Sequence, residues 1–355
     1  MRLATVSLAL TFMTCGAAFA QDCGPLKLIS AIDMTPLPGT AVMTVPALFN
    51  GKAAPMLVNT GGGISNMENA RLDELGLHGI DNSRIQMLDS AGNASKKFVQ
   101  VDDFALGPVH SRNMQFMVSP GTATDIPYVG SLAGDFLSLY DVEMDFSGRK
   151  LNFFAKDHCP GHVLYWNPTA IAIVPIALKL ATGDSSRTGF RNYTYRDAHI
   201  YVPVTLDGKT FQMMLDTGSQ RSTMSARTAK FIFGVDAASP GSVAQGTLDG
   251  DPAHPVFTHT FGSLTFDTVT ITNPHFTVVP DLVGSKDPNN SSRTDSRVKM
   301  IDDNIGGEIT IGMDVLRKLR LYIAFGEKKL YISPATGPVP VQSSAGFSQA
   351  PASVH

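Results

Sequence analysis

The sequence predicts an all-β protein made of two homologous antiparallel lobes. Three observations predict it. One stretch of sequence recurs in register with itself. The chain breaks into short strand-like runs bounded by Gly, Pro and Asn. Helical patterning is confined to a few short pieces.

The repeat is read from two anchors. Asn50-Gly51-Lys52 through Met56-Leu57-Val58-Asn59-Thr60-Gly61-Gly62 matches Asp207-Gly208-Lys209 through Met213-Met214-Leu215-Asp216-Thr217-Gly218-Ser219. Gly51 to Asn59 is eight positions, as is Gly208 to Asp216, and Ser65 and Ser222 each follow six later. Asn-Gly and Asp-Gly are the pairs that favour tight hairpin turns, so each anchor reads as two strands joined by such a turn. The second anchor closes each repeat. Leu137 to Phe146 and Leu316 to Phe325 are both nine positions, and Phe146 to Leu151 and Phe325 to Leu330 are both five.

Between anchors the copies differ. Asn59 to Leu137 is 78 positions and Asp216 to Leu316 is 100, so the second copy carries 22 more residues. The polar stretch Gly284 to Gly307 is read as a long surface loop that holds them. Val101 to Leu106, Met114 to Val118, Thr265 to Ile271, His275 to Val279, Leu151 to Phe154 and Leu330 to Ile332 read as strands. Asn69 to Leu75, Ser225 to Phe231 and Met313 to Leu319 read as short helices.

Composition agrees. Hydrophobic residues make up 43% of 355, charged residues only 17%, and there are 32 Gly and 22 Pro. That balance suits β structure rich in turns. A formal net charge of -3 gives no reason to expect nucleic acid or an anionic membrane as partner. Residues 1–20 carry a basic start at Arg2, an apolar run from Leu3 to Phe12 and Ala18-Phe19-Ala20, the pattern of an export signal. The mature chain would begin at Gln21; a lipoprotein reading at Cys15 is the alternative. No later apolar run is long enough to span a membrane. The expected location is exported, periplasmic or secreted. Cys23 and Cys159 then remain, an even count that suggests a disulfide; two unpaired thiols are the alternative. The domain reading is 1–20 signal peptide, 21–160 first lobe, 161–198 linker, 199–333 second lobe and 334–355 disordered tail.

Leu215-Asp216-Thr217-Gly218-Ser219 resembles the active-site loop of aspartic proteases. Ile309-Thr310-Ile311-Gly312-Met313-Asp314 resembles the apolar segment that packs behind it. The repeats are most similar to retropepsin-like bacterial aspartyl proteases, fused in tandem as in the bilobal pepsin-like arrangement. The likeness covers roughly residues 40 to 155 and 199 to 333. It implies an interlobe cleft that takes a peptide or protein substrate in extended form, no cofactor and no metal. Two lobes that complement each other within one chain imply a monomer. In such a site two carboxylates share one proton; one draws a proton from water while the other donates to the peptide carbonyl. The resemblance implies catalytic roles for Asp216 and for position 59. It further implies loop support from Thr60, Gly61, Ser65, Thr217, Gly218, Ser219 and Ser222, with the Ser65 and Ser222 hydroxyls on the outer carboxylate oxygens. Flaps over the cleft would be the turns at Ala91-Gly92-Asn93 and around Asp249-Gly250.

Position 59 departs from the pattern. Asn59 has the shape of a carboxylic acid and can donate a hydrogen bond, but it cannot accept and return a proton. The expectation is an aspartic endopeptidase with impaired hydrolysis; the alternative is an inactive peptide-binding module on the same scaffold. Other candidates have plainer readings. The nine His residues are scattered without metal-ligand spacing. Gly61-Gly62-Gly63 lacks the Lys-Ser/Thr of a phosphate loop. Asp135 and Asp314 match each other and read as helix N-terminal residues. The basic residues around Arg317 to Arg320 read as a solvated face.

Overall fold

The computed structural model describes residues 23–81, 87–88, 94–121, 125–178, 199–280 and 309–336. Residues 1–22, which include the expected export signal, the Ala91-Gly92-Asn93 turn, the Gly284–Gly307 stretch, residues 179–198 and the residues from 337 lie outside the described residues.

Each lobe begins with the hairpin its turn residues dictate. In the first, Met43–Phe49 pairs with Lys52–Val58; in the second, Ile200–Leu206 pairs with Lys209–Leu215. Both central turn residues have positive φ in each hairpin: 49° and 84° at Asn50-Gly51, 45° and 78° at Asp207-Gly208. That geometry matches strand twist, and Asn, Asp and Gly tolerate it best. Residues of Ile200–Leu206 alternate strictly between buried and half-buried, the period of a strand with one face in the core.

The second anchor threads back through the first. Gly130–Leu132 runs parallel to the end of Lys52–Val58 and antiparallel to Asn66–Glu68. Ile309–Ile311 does the same between Lys209–Leu215 and Thr223–Ser225. The loops at Asn59 and Asp216 therefore each span the two strands that flank one inserted strand, which fixes both their ends. The close approach needs small residues: a Cβ on Gly312 would sit 2.4 Å from the Arg221 carbonyl, and one on Gly130 would sit 2.1 Å from the Asn66 oxygen.

Among the described residues the strands form an eight-stranded sheet in the first lobe, a ten-stranded sheet in the second, a six-stranded sheet between them and a two-stranded ribbon of Met87–Leu88 with Ala94–Ser95. The first lobe curls shut where Met43–Phe49 also pairs with Lys97–Leu106. Its core is aromatic: Phe104 packs against Phe49, Phe116 and Phe136 with ring centroids 5.3–5.7 Å apart. The shared sheet takes Leu28–Asp33, Lys150–Phe154 and Asp141–Asp145 from the first repeat, and Leu319–Ala324 and Lys329–Pro334 from the second. Ala172–Pro175, inside the segment read as a linker, supplies its edge strand.

Asp141–Asp145 and Leu319–Ala324 meet at the middle of this sheet, so it couples the lobes directly. The contact is charged. Arg320 Nε donates to fully buried Glu143 at 2.6 Å, and its guanidinium lies 4.6 Å over the Trp166 ring. Asn152 and Tyr165 also donate to Glu143. Removing one partner of a buried pair strands the other's charge and costs about 3–5 kcal/mol. Nearby, His158 and Asp141 pair at 2.6 Å, both almost fully buried. The Cys23–Cys159 bridge ties the start of the described chain to this region across 136 residues. Closing so long a loop is worth about 4–5 kcal/mol in the chain-entropy account.

Three sequence expectations change. Thr265 to Ile271 is not one strand: Ser263–Phe266 and Val269–Thr272 form a hairpin that turns at Asp267, whose φ is 50°. The helix at Met313 ends at Leu316, because Leu319 already starts a strand of the shared sheet. Arg320 belongs to no solvated face; its charge is held by Glu143 and by Asp145, 3.5 Å away. The helix Ala226–Phe233 is capped as its sequence suggests, with the Ser225 hydroxyl accepting from the Thr228 N–H at 3.1 Å. Among the described residues no helix is long and apolar enough to cross a membrane.

Candidate active site

The two loops are joined at their centre by Thr60 and Thr217. The Thr60 hydroxyl donates to the Leu215 carbonyl at 2.8 Å and accepts from the Thr217 N–H at 3.1 Å. The Thr217 hydroxyl donates to the Val58 carbonyl at 2.7 Å and accepts from the Thr60 N–H at 3.1 Å. Both side chains are buried, so the four bonds exclude water. A buried bond of this kind contributes about 1 kcal/mol net, and losing one partner costs more.

The brace presses each loop's glycine onto the other loop's functional side chain. A Cβ on Gly61 would lie 2.2 Å from Asp216 Cγ; one on Gly218 would lie 2.6 Å from Asn59 Oδ1. Only glycine fits such an approach, and it puts Asn59 and Asp216 around one point between the lobes. The Gly218 N–H also donates to Asp216 Oδ1 at 2.8 Å. Main-chain placement is the same on both sides: Asn59 N–H donates to Leu132 O, and Asp216 N–H to Ile311 O, each at 2.9 Å.

The two side chains differ in chemistry. Burial pushes the Asp216 carboxyl above the ordinary carboxylate range. Opposing that are N–H groups of Gly218, Ser219 and Gly61 and a lesser electrostatic influence of His199. Asn59 has no charge to contribute, and its Oδ1 is buried without a hydrogen-bond partner among the described residues.

Ser65 and Ser222 support the loops from behind, by a route other than the outer carboxylate oxygens. The Ser65 hydroxyl and N–H both donate to Asp135 Oδ1, at 2.6 and 2.9 Å. Ser222 gives the same pair to Asp314 Oδ1, at 2.7 and 2.9 Å. Each hydroxyl then accepts from the inserted strand's exit, from Ala133 N–H and Gly312 N–H respectively, at 3.0 Å. Asp135 and Asp314 also take the N–H of the next residue, the first-turn position the sequence assigned them. Burial raises the pKa of both. Ser219 turns its hydroxyl to the Arg221 carbonyl at 2.8 Å.

Two further residues join the site. Gln220 reaches from the second loop to the first lobe, where its Oε1 accepts from Ala41 N–H at 2.7 Å. His199 stands at the head of the second hairpin. Its signal was countable in the sequence: it lies eight positions before Asp207, as Asp216 lies eight after Gly208. The second-lobe flap candidate is the connection between Ser242–Thr247 and Pro255–Thr260, with Leu248–Gly250 as a single tight turn. The described residues include no cluster of His, Cys, Asp or Glu suited to a metal.

Comparison with known proteins places this geometry. A family model described as aspartyl protease matches residues 45–133 and 202–315, one segment in each lobe. The matched segments make up more than half of the chain, and the chain belongs to that family. No curated protein matches it. Similar solved structures include conglutin gamma, a basic 7S globulin from lupine seeds, with 9% identity and a TM-score of 0.48, covering 87% of this chain and 95% of that one. Basic 7S globulin from soybean has 11% identity and a TM-score of 0.44, covering 88% and 98%. An aspartic proteinase from Irpex lacteus has 10% identity and a TM-score of 0.44, covering 86% and 97%.

Proposed function

We propose that this chain is an exported aspartic-type endopeptidase in which Asp216 activates the attacking water and Asn59 stands in for the second acid. The observation that carries the reading is the pair of loops held at hydrogen-bonding closeness around one carboxylate and one amide. Asp216, partly exposed and supported by three N–H groups, is the group that can take a proton from water. Asn59 can donate a hydrogen bond to a peptide carbonyl but returns no proton to a leaving amine. Hydrolysis is therefore slow, and the substrate is a peptide held as an added strand, a mode that relies on backbone bonding. The Cys23–Cys159 bridge supports an oxidising, exported location.

A second reading, an inactive peptide-binding module, is favoured by the same amide. The two separate in a peptidase assay at acidic pH. Slow cleavage by the unmodified chain that disappears in Asp216→Ala supports the enzyme. Peptide binding in the cleft with no cleavage by either protein supports the module.

A further inference from the structure

Asn59 carries a primary amide that shares a neighbour with the Asp216 carboxylate. Gly218 touches both groups: its N–H donates to Asp216 Oδ1 at 2.8 Å, and a Cβ on it would lie 2.6 Å from Asn59 Oδ1. From the other loop, a Cβ on Gly61 would sit 2.2 Å from Asp216 Cγ. Both residues are partly exposed, so water has access to them. Asn59 Oδ1 accepts no hydrogen bond among the described residues. A carboxyl at that position could share a proton with Asp216, which an amide cannot.

We propose that Asn59 is itself a substrate of Asp216: water activated by that carboxylate hydrolyses the side-chain amide once and leaves an aspartate at position 59. The inference rests on the reading of Asp216 as the water-activating group. A side-chain amide contains the same C–N bond as a peptide, and here it is presented within the chain, without a binding step. Asp216 takes a proton from water as the water oxygen bonds to Asn59 Cγ, and the carbonyl electron pair moves to Oδ1. As the tetrahedral intermediate collapses, the C–N bond breaks and Asp216 returns the proton to the departing nitrogen. One amide and one water give one carboxyl and one ammonia, with no oxidant and no second acid. The event happens once per molecule, so it can be slow.

The alternative route from asparagine to aspartate is opposed by the fold. It needs the next residue's main-chain nitrogen to attack Cγ and close a cyclic imide. That nitrogen belongs to buried Thr60, and its N–H is engaged by Thr217 Oγ1 at 3.1 Å within the brace between the lobes. Opening of an imide yields aspartate mixed with isoaspartate, whereas attack by water yields aspartate alone.

The test is peptide-mapping mass spectrometry of the full chain, kept folded in mildly acidic buffer and sampled over time. Aspartate should accumulate at position 59 without isoaspartate. Asp216→Asn should slow this about a hundredfold or more, the share of one acid–base group. Conversion at Asn50, beside unhindered Gly51, is the reference for both proteins. No conversion at position 59, equal rates in the two proteins, or isoaspartate as the main product overturns the proposal. If Asp216→Asn does not fold, the unmodified chain is compared with itself in denaturant, where aspartate-only conversion should cease; its continuing at the same rate overturns the proposal. Peptide cleavage without conversion sinks this inference and leaves the proposed function standing. Conversion with no peptide cleavage, by the unmodified chain or by Asn59→Asp, does the reverse.

Discussion

The two half-sites share their Thr and Ser supports but not their chemistry. Thr60 and Thr217 make reciprocal bonds of matching length. Ser65 and Ser222 hold Asp135 and Asp314 in the same two-bond grip. Position 59 nevertheless carries an amide and position 216 an acid. The Thr brace and the Ser–Asp grips bond to main chain and to each other rather than to the side chains at 59 and 216, so they can persist when those two side chains change. The orphaned Asn59 Oδ1 marks where the difference is felt.

The comparison can be broken in several ways. The largest expected effect is on the acid that remains. In an Asn59→Asp background, Asp216→Asn should lower kcat/KM by about 10²–10⁴, the usual share of one acid–base group. An equal rate in the two proteins would remove Asp216 from the reaction. Next comes the brace. Thr60→Val and Thr217→Val each strand a buried carbonyl and a buried N–H, so each should cost about 2–4 kcal/mol in denaturant unfolding. Costs that differ by more than about 1 kcal/mol would show that the lobes do not share the load equally. Ser65→Ala and Ser222→Ala should each cost about 1–2 kcal/mol, since each leaves a buried carboxyl with one bond fewer.

The smallest effect is on pH dependence. Burial raises the pKa of Asp135 and Asp314 above the values of the unfolded chain. The folded state therefore binds more protons than the unfolded state once pH passes the ordinary carboxylate range. Their contribution to stability is full below that range and declines as pH rises toward the folded pKa values. Thermal melts of Asp135→Asn should show a flatter decline over that interval than the unmodified protein. An unchanged slope would mean Asp135 is ionised in the fold.

The sequence exposed the scaffold well because the anchors keep their spacing. Asn-Gly and Asp-Gly turns fix the hairpin registers, and the apolar segments at Gly130 and Ile309 have one slot to fill. What stayed hidden depended on partners far apart in the chain. Arg320 looked solvated because Glu143, its counter-charge, lies 177 positions away. Ser65 looked destined for the side chain at position 59 because its true acceptor, Asp135, is 70 positions on. The break at Asp267 went unseen because no Gly or Pro marks it. His199 lay outside any motif, although counting both arms of its hairpin from the Asp207-Gly208 turn reaches it.

The most direct measurement of the central claim is kcat/KM for an acid-pH peptide substrate in the unmodified chain and in Asn59→Asp. If the first half-site is a complete scaffold lacking one proton-transferring group, restoring aspartate should raise kcat/KM by about a hundredfold or more. A folded Asn59→Asp protein that still binds peptide and cleaves no faster than the unmodified chain would contradict it.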